Sequence, residues 1–197
     1  MVQSIELLLD EDAETALRAS WSALADAGLP SLATHTGTSN RPHVTVAVTG
    51  GSGFQDAEAG LRAVVEGWDL AGAGLAGTLG APVLFGGHRG RWVLARQIVP
   101  SRPLLTVHAA VHRALRLHVP DVELVAQTRP DAWTPHVTLA RRIDGERLGE
   151  ALAVIDLEPI PFRFRAARLW DSGTKTVTPL TVSSIRGSAR SVRRSPD

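Results

Sequence analysis

The sequence predicts an α+β domain built from one strand–helix–strand–helix–strand–strand unit used twice. Three observations point there. The stretch RPHVTVAV, Arg41–Val48, returns later as TPHVTLAR, Thr134–Arg141, so Pro-His-Val-Thr-(Val/Leu)-Ala is written twice. The two histidines stand 136 − 43 = 93 positions apart, and the same offset carries Ile5 onto Ile98 and the first helical pattern onto the third. Hydrophobic residues make up 44% and charged residues 21% of the 197, which is the composition of a globular chain.

The elements follow in order. Ser4–Asp10 is a short apolar run, read as a buried strand. Asp10 or Asp12 caps a helix whose apolar positions Ala13, Leu17, Trp21 and Leu24 recur at helical spacing, and Gly28 and Pro30 stop it. A polar loop leads into a strand over Pro42–Thr49. The turn GGSG opens a second helix with Ala57, Leu61, Val64, Val65 and Trp68 on one face. LAGAGLAGTLG and APVLFGG read as two strands that finish the first unit. RWVLARQIV opens the second unit, and a helix from Ser101 and Pro103 to about His118 follows. TPHVTLA is then a strand, GERLGEALAVID a helix, and PFRFRAARLW and KTVTPLTVSSI the closing strands.

Bulk properties exclude several classes. The net charge is +1, so no overall field draws the chain to nucleic acid or to a membrane. Cysteine is absent, which removes disulfides and thiolate metal sites and suits a reducing compartment. The acidic start MVQSIELLLDEDAE is unlike a secretory signal, and no apolar run approaches the ~20 residues of a membrane span. A cytoplasmic, soluble, monomeric protein with no membrane partner is expected. Lys175 is the sole lysine, so an anion site must be built from arginine. The tail 186–197 is basic and poor in apolar residues, and disorder is expected there.

The repeated motif carries the chemistry. Residues i and i+2 of a strand share a face. His43, Thr45 and Ala47 are therefore expected on one face, and Val44, Val46 and Val48 on the other. His136, Thr138 and Ala140 repeat the pattern against Val137 and Leu139. If the two units pack pseudo-symmetrically, two histidines and two threonines converge on one cleft. Imidazole has an ordinary pKa of about 6.5, so one ring can take a proton from an attacking oxygen while the other gives one to a leaving oxygen. The threonine hydroxyls can donate to non-bridging phosphate oxygens. A phosphodiester fits such a set, with neither metal nor covalent intermediate required.

PHVT at 42–45 and again at 135–138 resembles the paired His-x-Thr signature of the two-histidine (2H) phosphoesterases, and most of all their 2′-5′ RNA ligase branch. The resemblance runs from about Ser4 to Ile185. It implies one bilobal domain over 1–185, with pseudo-repeats of about 1–90 and 91–185. Two antiparallel sheets are expected to form a central cleft with helices outside. By the same resemblance His43 is the general acid, His136 the base that activates water, and Thr45 and Thr138 hold the phosphate. HVTLAR matches the second-motif form of that branch, which implies a phosphate or nucleic-acid contact for Arg141. The first motif departs from the family where it continues VAVTGG. The implied reaction is metal-independent, cofactor-free hydrolysis of a 2′,3′-cyclic phosphate on RNA ends or small nucleotides. Ligation to a 2′-5′ bond, or nucleotide binding with little turnover, stands as an alternative.

Other residues invite readings of their own. Trp133 and Trp170 can stack a nucleobase at the cleft rim, while Trp21 and Trp68 belong to the core. Arg163 and Arg165 alternate with Phe162 and Phe164, so they line the cleft wall or meet solvent. His108 and His112 have the i, i+4 spacing of a metal pair but lack a third ligand, and a partly exposed helix face is expected for them. GGSG lacks the ending of a P-loop and reads as a plain turn.

Overall fold

A computed structural model describes residues 2–37, 39–70 and 72–181 of the chain. β1 (Gln3–Leu9) is followed by α1 (Glu11–Asp26), β2 (His43–Thr49), α2 (Glu58–Gly67) and β3 (Leu75–Gly86). The second unit runs through β4 (Arg91–Ile98), α3 (Arg102–His118), β5 (His136–Asp144), α4 (Leu148–Val154), β6 (Ile160–Asp171) and β7 (Thr176–Pro179). The expected caps are in place. The Asp10 carboxylate accepts from the Ala13 N–H at 3.2 Å, and the Ser101 hydroxyl accepts from the Leu104 N–H at 3.3 Å. Trp21 is buried and Trp68 packs against the core. The GGSG turn is structural, since the Phe54 N–H that follows it donates to Gln3 Oε1.

The α+β expectation holds, with two corrections. LAGAGLAGTLG and APVLFGG are not separate strands but one, β3, broken only by a register shift between Leu79 and Pro82. Pro82 lacks a ladder donor, and a bulge is where a sheet tolerates that. Nor do the described residues form two sheets. Their strands make one antiparallel sheet in the order β2-β1-β6-β3-β4-β5, with β7 paired to β6. Residues 182–185, at the end of the last predicted strand, and the tail 186–197 lie outside the described residues.

The order exposes an exchange. β6 of the second unit pairs with β1 of the first, and β3 of the first pairs with β4 of the second. The first lobe is therefore β2-β1-β6 with β7, and the second is β5-β4-β3. The lobes meet where β3 and β6 pair, around Gly77 opposite Phe162 (162 − 77 = 85). Those two residues occupy equivalent places, because Leu75–Gly86 and Ile160–Asp171 are related by the same 85. Gly77 is required there: a Cβ would lie 2.5 Å from Phe162 Cζ, so the pseudo-axis has room for one side chain only.

Helices follow the exchange. α1 packs on α4, β5 and β6, whereas α3 packs on α2, β2 and β3. Leu17, Trp21 and Leu24 of α1 and Val107, Val111 and Leu115 of α3 close the core from that side, each buried aliphatic worth about 1.5–3 kcal/mol. The two ends of the strand order, β2 and β5, come against each other, so the sheet curves round and its helix-free face lines a hollow. Among the described residues no helix is long and apolar enough to cross a membrane.

Candidate active site

Both motif strands open on their histidine, and both rings are anchored in the same way. His43 Nδ1 lies 2.6 Å from the Arg41 carbonyl, and His136 Nδ1 lies 2.7 Å from the Thr134 carbonyl. Each contact spans the proline, which fixes the preceding residue in extended backbone and so aims its carbonyl at the ring. A carbonyl only accepts, so Nδ1 carries the hydrogen and Nε2 is the free end. The two histidines are half-buried, as are Thr45 and Thr138.

Alternation then breaks, twice, at the same place in the motif. Thr45 pairs with Glu6 but Ala47 with Ile5, which leaves Val46 as the extra residue of a bulge. Thr138 pairs with Ala95 but Ala140 with Leu94, which leaves Leu139 in the same position. Ala47 and Ala140 consequently turn into the core, both fully buried, instead of sharing the His/Thr face as alternation predicts. The second bulge brings Arg141 round to the hollow, where it lines the space beside each histidine. Arg142 follows at φ 62, a left-handed conformation unusual for a side-chain-bearing residue, and also lines the hollow.

The backs of these edge strands are held from the opposite unit. Trp21 Nε1 of α1 donates to the Thr138 carbonyl at 3.1 Å, and Trp133 Nε1 donates to the Thr45 carbonyl at 2.9 Å. His112 of α3 contacts the Val46 carbonyl through Nε2 at 3.2 Å. These bonds satisfy edge groups that would otherwise be open for further pairing. Trp133 is thus not at the cleft rim: its N–H is spent on Thr45 and its ring stacks on His108 at 4.0 Å and 8°. His108 and His112 are buried, 3% and 0% exposed, and not on a partly exposed face. His108 Nε2 lies 2.9 Å from the Thr128 carbonyl. Burial pushes His108 down to about 4, and the neighbouring His112 adds to that. Among the described residues no three metal-ligating side chains are grouped.

Around His43 the sheet is charged. Glu6, 3% exposed, points one oxygen at His43 Nε2, 3.5 Å away. That oxygen also accepts from the Ser4 hydroxyl at 2.7 Å, and its partner accepts from Arg168 Nε at 2.7 Å. Arg168 further donates to the Ser39 carbonyl. Around His136 the sheet is apolar, with the Phe85 ring 4.5 Å from the imidazole. Burial holds His136 below the ordinary histidine range. The bond to Thr134 opposes that depression, while the nearby charges of His43 and Arg141 deepen it. His136 therefore feels the charge of His43.

The main cleft has a volume of about 1550 Å³ and contains Glu6, His43, Arg141, Arg142, Arg168 and Trp170 among its lining. A smaller pocket of about 440 Å³ adjoins it at His136, with Thr138, Arg141, Phe85 and Val93. Trp170 is where a rim stacker was expected. Arg163 and Arg165 are not: they donate to the carbonyls of Ala73, Gly74 and Gly72, fastening the turn before β3. Glu6, Arg142 and Arg168 went unnoticed in the sequence. A lone glutamate within the apolar run SIELLLD was the available signal for one of them.

Comparison with known proteins agrees with this fold. The family described as 2′-5′ RNA ligase superfamily matches residues 13–176. Among curated protein sequences none matches the chain. The MHV ns2 PDE domain superposes with a TM-score of 0.57 at 15% identity, covering 86% of this chain and 98% of that one. TT0787 of Thermus thermophilus gives 0.53 at 15% identity, with 92% and 96% covered. Kluyveromyces marxianus Usb1 gives 0.50 at 12% identity, with 92% and 98% covered. At such identities the likeness is one of fold.

Proposed function

The chain belongs to the 2′-5′ RNA ligase superfamily of 2H phosphoesterases, and on that premise we propose that it hydrolyses 2′,3′-cyclic phosphates on RNA ends or nucleotides. One observation carries the reading: two imidazoles are tethered identically through Nδ1, His43 lines the main cleft and His136 the adjoining pocket, Arg141 lines both, and the His43 charge acts on His136. His136, whose pKa burial lowers, takes a proton from water as its oxygen attacks phosphorus. His43 donates a proton to the departing ribose oxygen, the strained ring opens, and a 2′-phosphate remains. Thr45, Thr138 and Arg141 meet the non-bridging oxygens, where charge gathers in the transition state.

The cleft favours RNA over a lone nucleotide. Pockets for small ligands run to roughly 300–1,000 Å³, and this one is about 1550 Å³, with Arg141, Arg142, Arg168 and Lys175 on its walls. Trp170 offers a face for base stacking. The structure of the fold relative Usb1 has been solved with uridine monophosphate, which is in keeping with a nucleotide ligand. The apolar pocket beside His136 favours a second reading, in which a 5′-hydroxyl nucleoside replaces water and a 2′-5′ bond is formed.

The test is incubation with a nucleoside 2′,3′-cyclic monophosphate and with cyclic-phosphate-ended RNA, each in EDTA. Product from the wild type, absent with His43→Ala and with His136→Ala, is expected. Tight binding with no product from any form would overturn the reading. A joined product on adding 5′-hydroxyl RNA would establish ligation.

A further inference from the structure

We propose that Glu6 is a positioning residue that assigns the proton-donating role to His43, a role that rests on the phosphodiesterase reading above. The motifs alone do not break the tie between the two rings, since both are tethered by Nδ1 to the carbonyl two residues back. What differs is the residue paired with each motif threonine on the neighbouring strand. Thr45 pairs with Glu6, and Thr138 pairs with Ala95. One position further across the sheet, Glu6 pairs with Arg168, and Ala95 pairs with Val83. Among the described residues a carboxylate therefore faces Nε2 of one ring only.

Its aim is fixed. Arg168 holds one oxygen and the Ser4 hydroxyl holds the other, so the carboxylate keeps its place 3.5 Å from His43 Nε2. That spacing is ion-pair range and longer than a hydrogen bond, which leaves the proton available for transfer. In the reaction the Nε2 proton of His43 passes to the ribose oxygen as its bond to phosphorus breaks, while His136 gains the proton of water. The rings end with protonation exchanged, and solvent restores them. Glu6 favours the starting arrangement by attracting the proton to His43 rather than to His136.

Other charges lie around the cleft that this ring lines. Arg168 comes from β6, Lys175 from the turn after it, and Arg141, Arg142 and His136 from β5. His35 and Arg41 come from the loop before β2, and Arg41 is itself paired with Glu14 at 2.5 Å. All of these are cationic or titrate to a cation, and among the described residues Glu6 is the one acid lining the cleft.

The experiment compares pH profiles of kcat/KM for wild type, Glu6→Gln and Glu6→Asp on a cyclic-phosphate RNA, with melting curves to confirm folding. In Glu6→Gln the alkaline limb is expected to move down by about one pH unit, with the acidic limb of His136 unmoved and Glu6→Asp restoring most of the difference. A uniform loss at every pH, or an unmoved limb, would overturn the proposal. Should Glu6→Gln not fold, Glu6→Gln with Arg168→Gln removes both charges together, and a smaller downward movement is expected, because losing the Arg168 cation offsets part of the loss of the nearer carboxylate. Nuclear magnetic resonance titration of the His43 imidazole separates this proposal from the function it rests on. A lower midpoint in Glu6→Gln supports the proposal even if the wild type turns nothing over, and an identical midpoint overturns it.

Discussion

The two lobes share a motif strand almost letter for letter, yet their cleft faces are opposite in character. In the first lobe the positions beside Thr45 hold Glu6 and Arg168, with Trp170 beyond. In the second the matching positions hold Ala95, Val83 and Phe85. Duplication gives two rings the same tether; it does not give them different jobs. The difference comes from neighbours one and two strands away. A buried ion pair stands beside one ring, and an apolar wall desolvates the other. The lobe that costs more to build is the charged one, because both ions must leave water.

This contrast can be broken at several points. The largest effect is expected from the rings themselves. His43→Ala and His136→Ala should each lower kcat by about 10²–10⁴-fold, measured on a cyclic-phosphate substrate, with little change in melting temperature because both rings are half-buried. Next comes the ion pair. Arg168→Ala strands the Glu6 carboxylate and should cost about 3–5 kcal/mol in denaturant unfolding, whereas Val83→Ala, its counterpart, should cost about 1 kcal/mol.

Acidification comes third, and it acts on the buried histidines behind β2. His108 is held down to about 4 in the fold, against about 6.5 when unfolded. The unfolded chain therefore binds the proton first, so stability present above pH 6.5 is lost as pH falls toward 4, by about 3 kcal/mol. Denaturant midpoints at pH 7 and pH 4.5 measure this, and His108→Leu should flatten the dependence. The smallest effects concern the feature the lobes have in common. Trp21→Phe and Trp133→Phe each delete one indole N–H to a motif threonine carbonyl, at about 1 kcal/mol apiece. Similar losses in thermal melts from both variants would show that the brace, unlike the charge, is shared equally.

Much of this was readable in the chain. The doubled Pro-His-Val-Thr, the helical spacing of Leu17, Trp21 and Leu24, and the caps at Asp10 and Ser101 are local signals with local causes. What escaped was set by bulges, which carry no marker of their own. Strict alternation puts Arg141 with Val137 and Leu139, and only the extra residue at Leu139 swings it into the cleft. Alternation also puts Arg168 on the side of Phe162 and Phe164. The register shift at Arg165, where Leu9 pairs with Phe164 and Leu8 with Ala166, transfers it to the other face. Arg163 and Arg165 looked like cleft residues for another reason: strand alternation says nothing of the turn before β3, whose carbonyls take up both guanidinium groups. Trp133 misled for a different reason: its partners, His108 and the Thr45 carbonyl, are distant in sequence and near only after the units interlock.

The exchange of β3 and β6 has a further consequence. Neither unit holds enough strands to finish its own lobe, so a chain cut between Gly86 and Arg91 would yield two pieces that each lack a partner strand. A forebear carrying a single unit would have been whole only as a pair of identical molecules trading their last strands, with one histidine from each facing its twin. Two units on one chain are free to differ, so that one side carries an acid next to its imidazole while the other stays greasy.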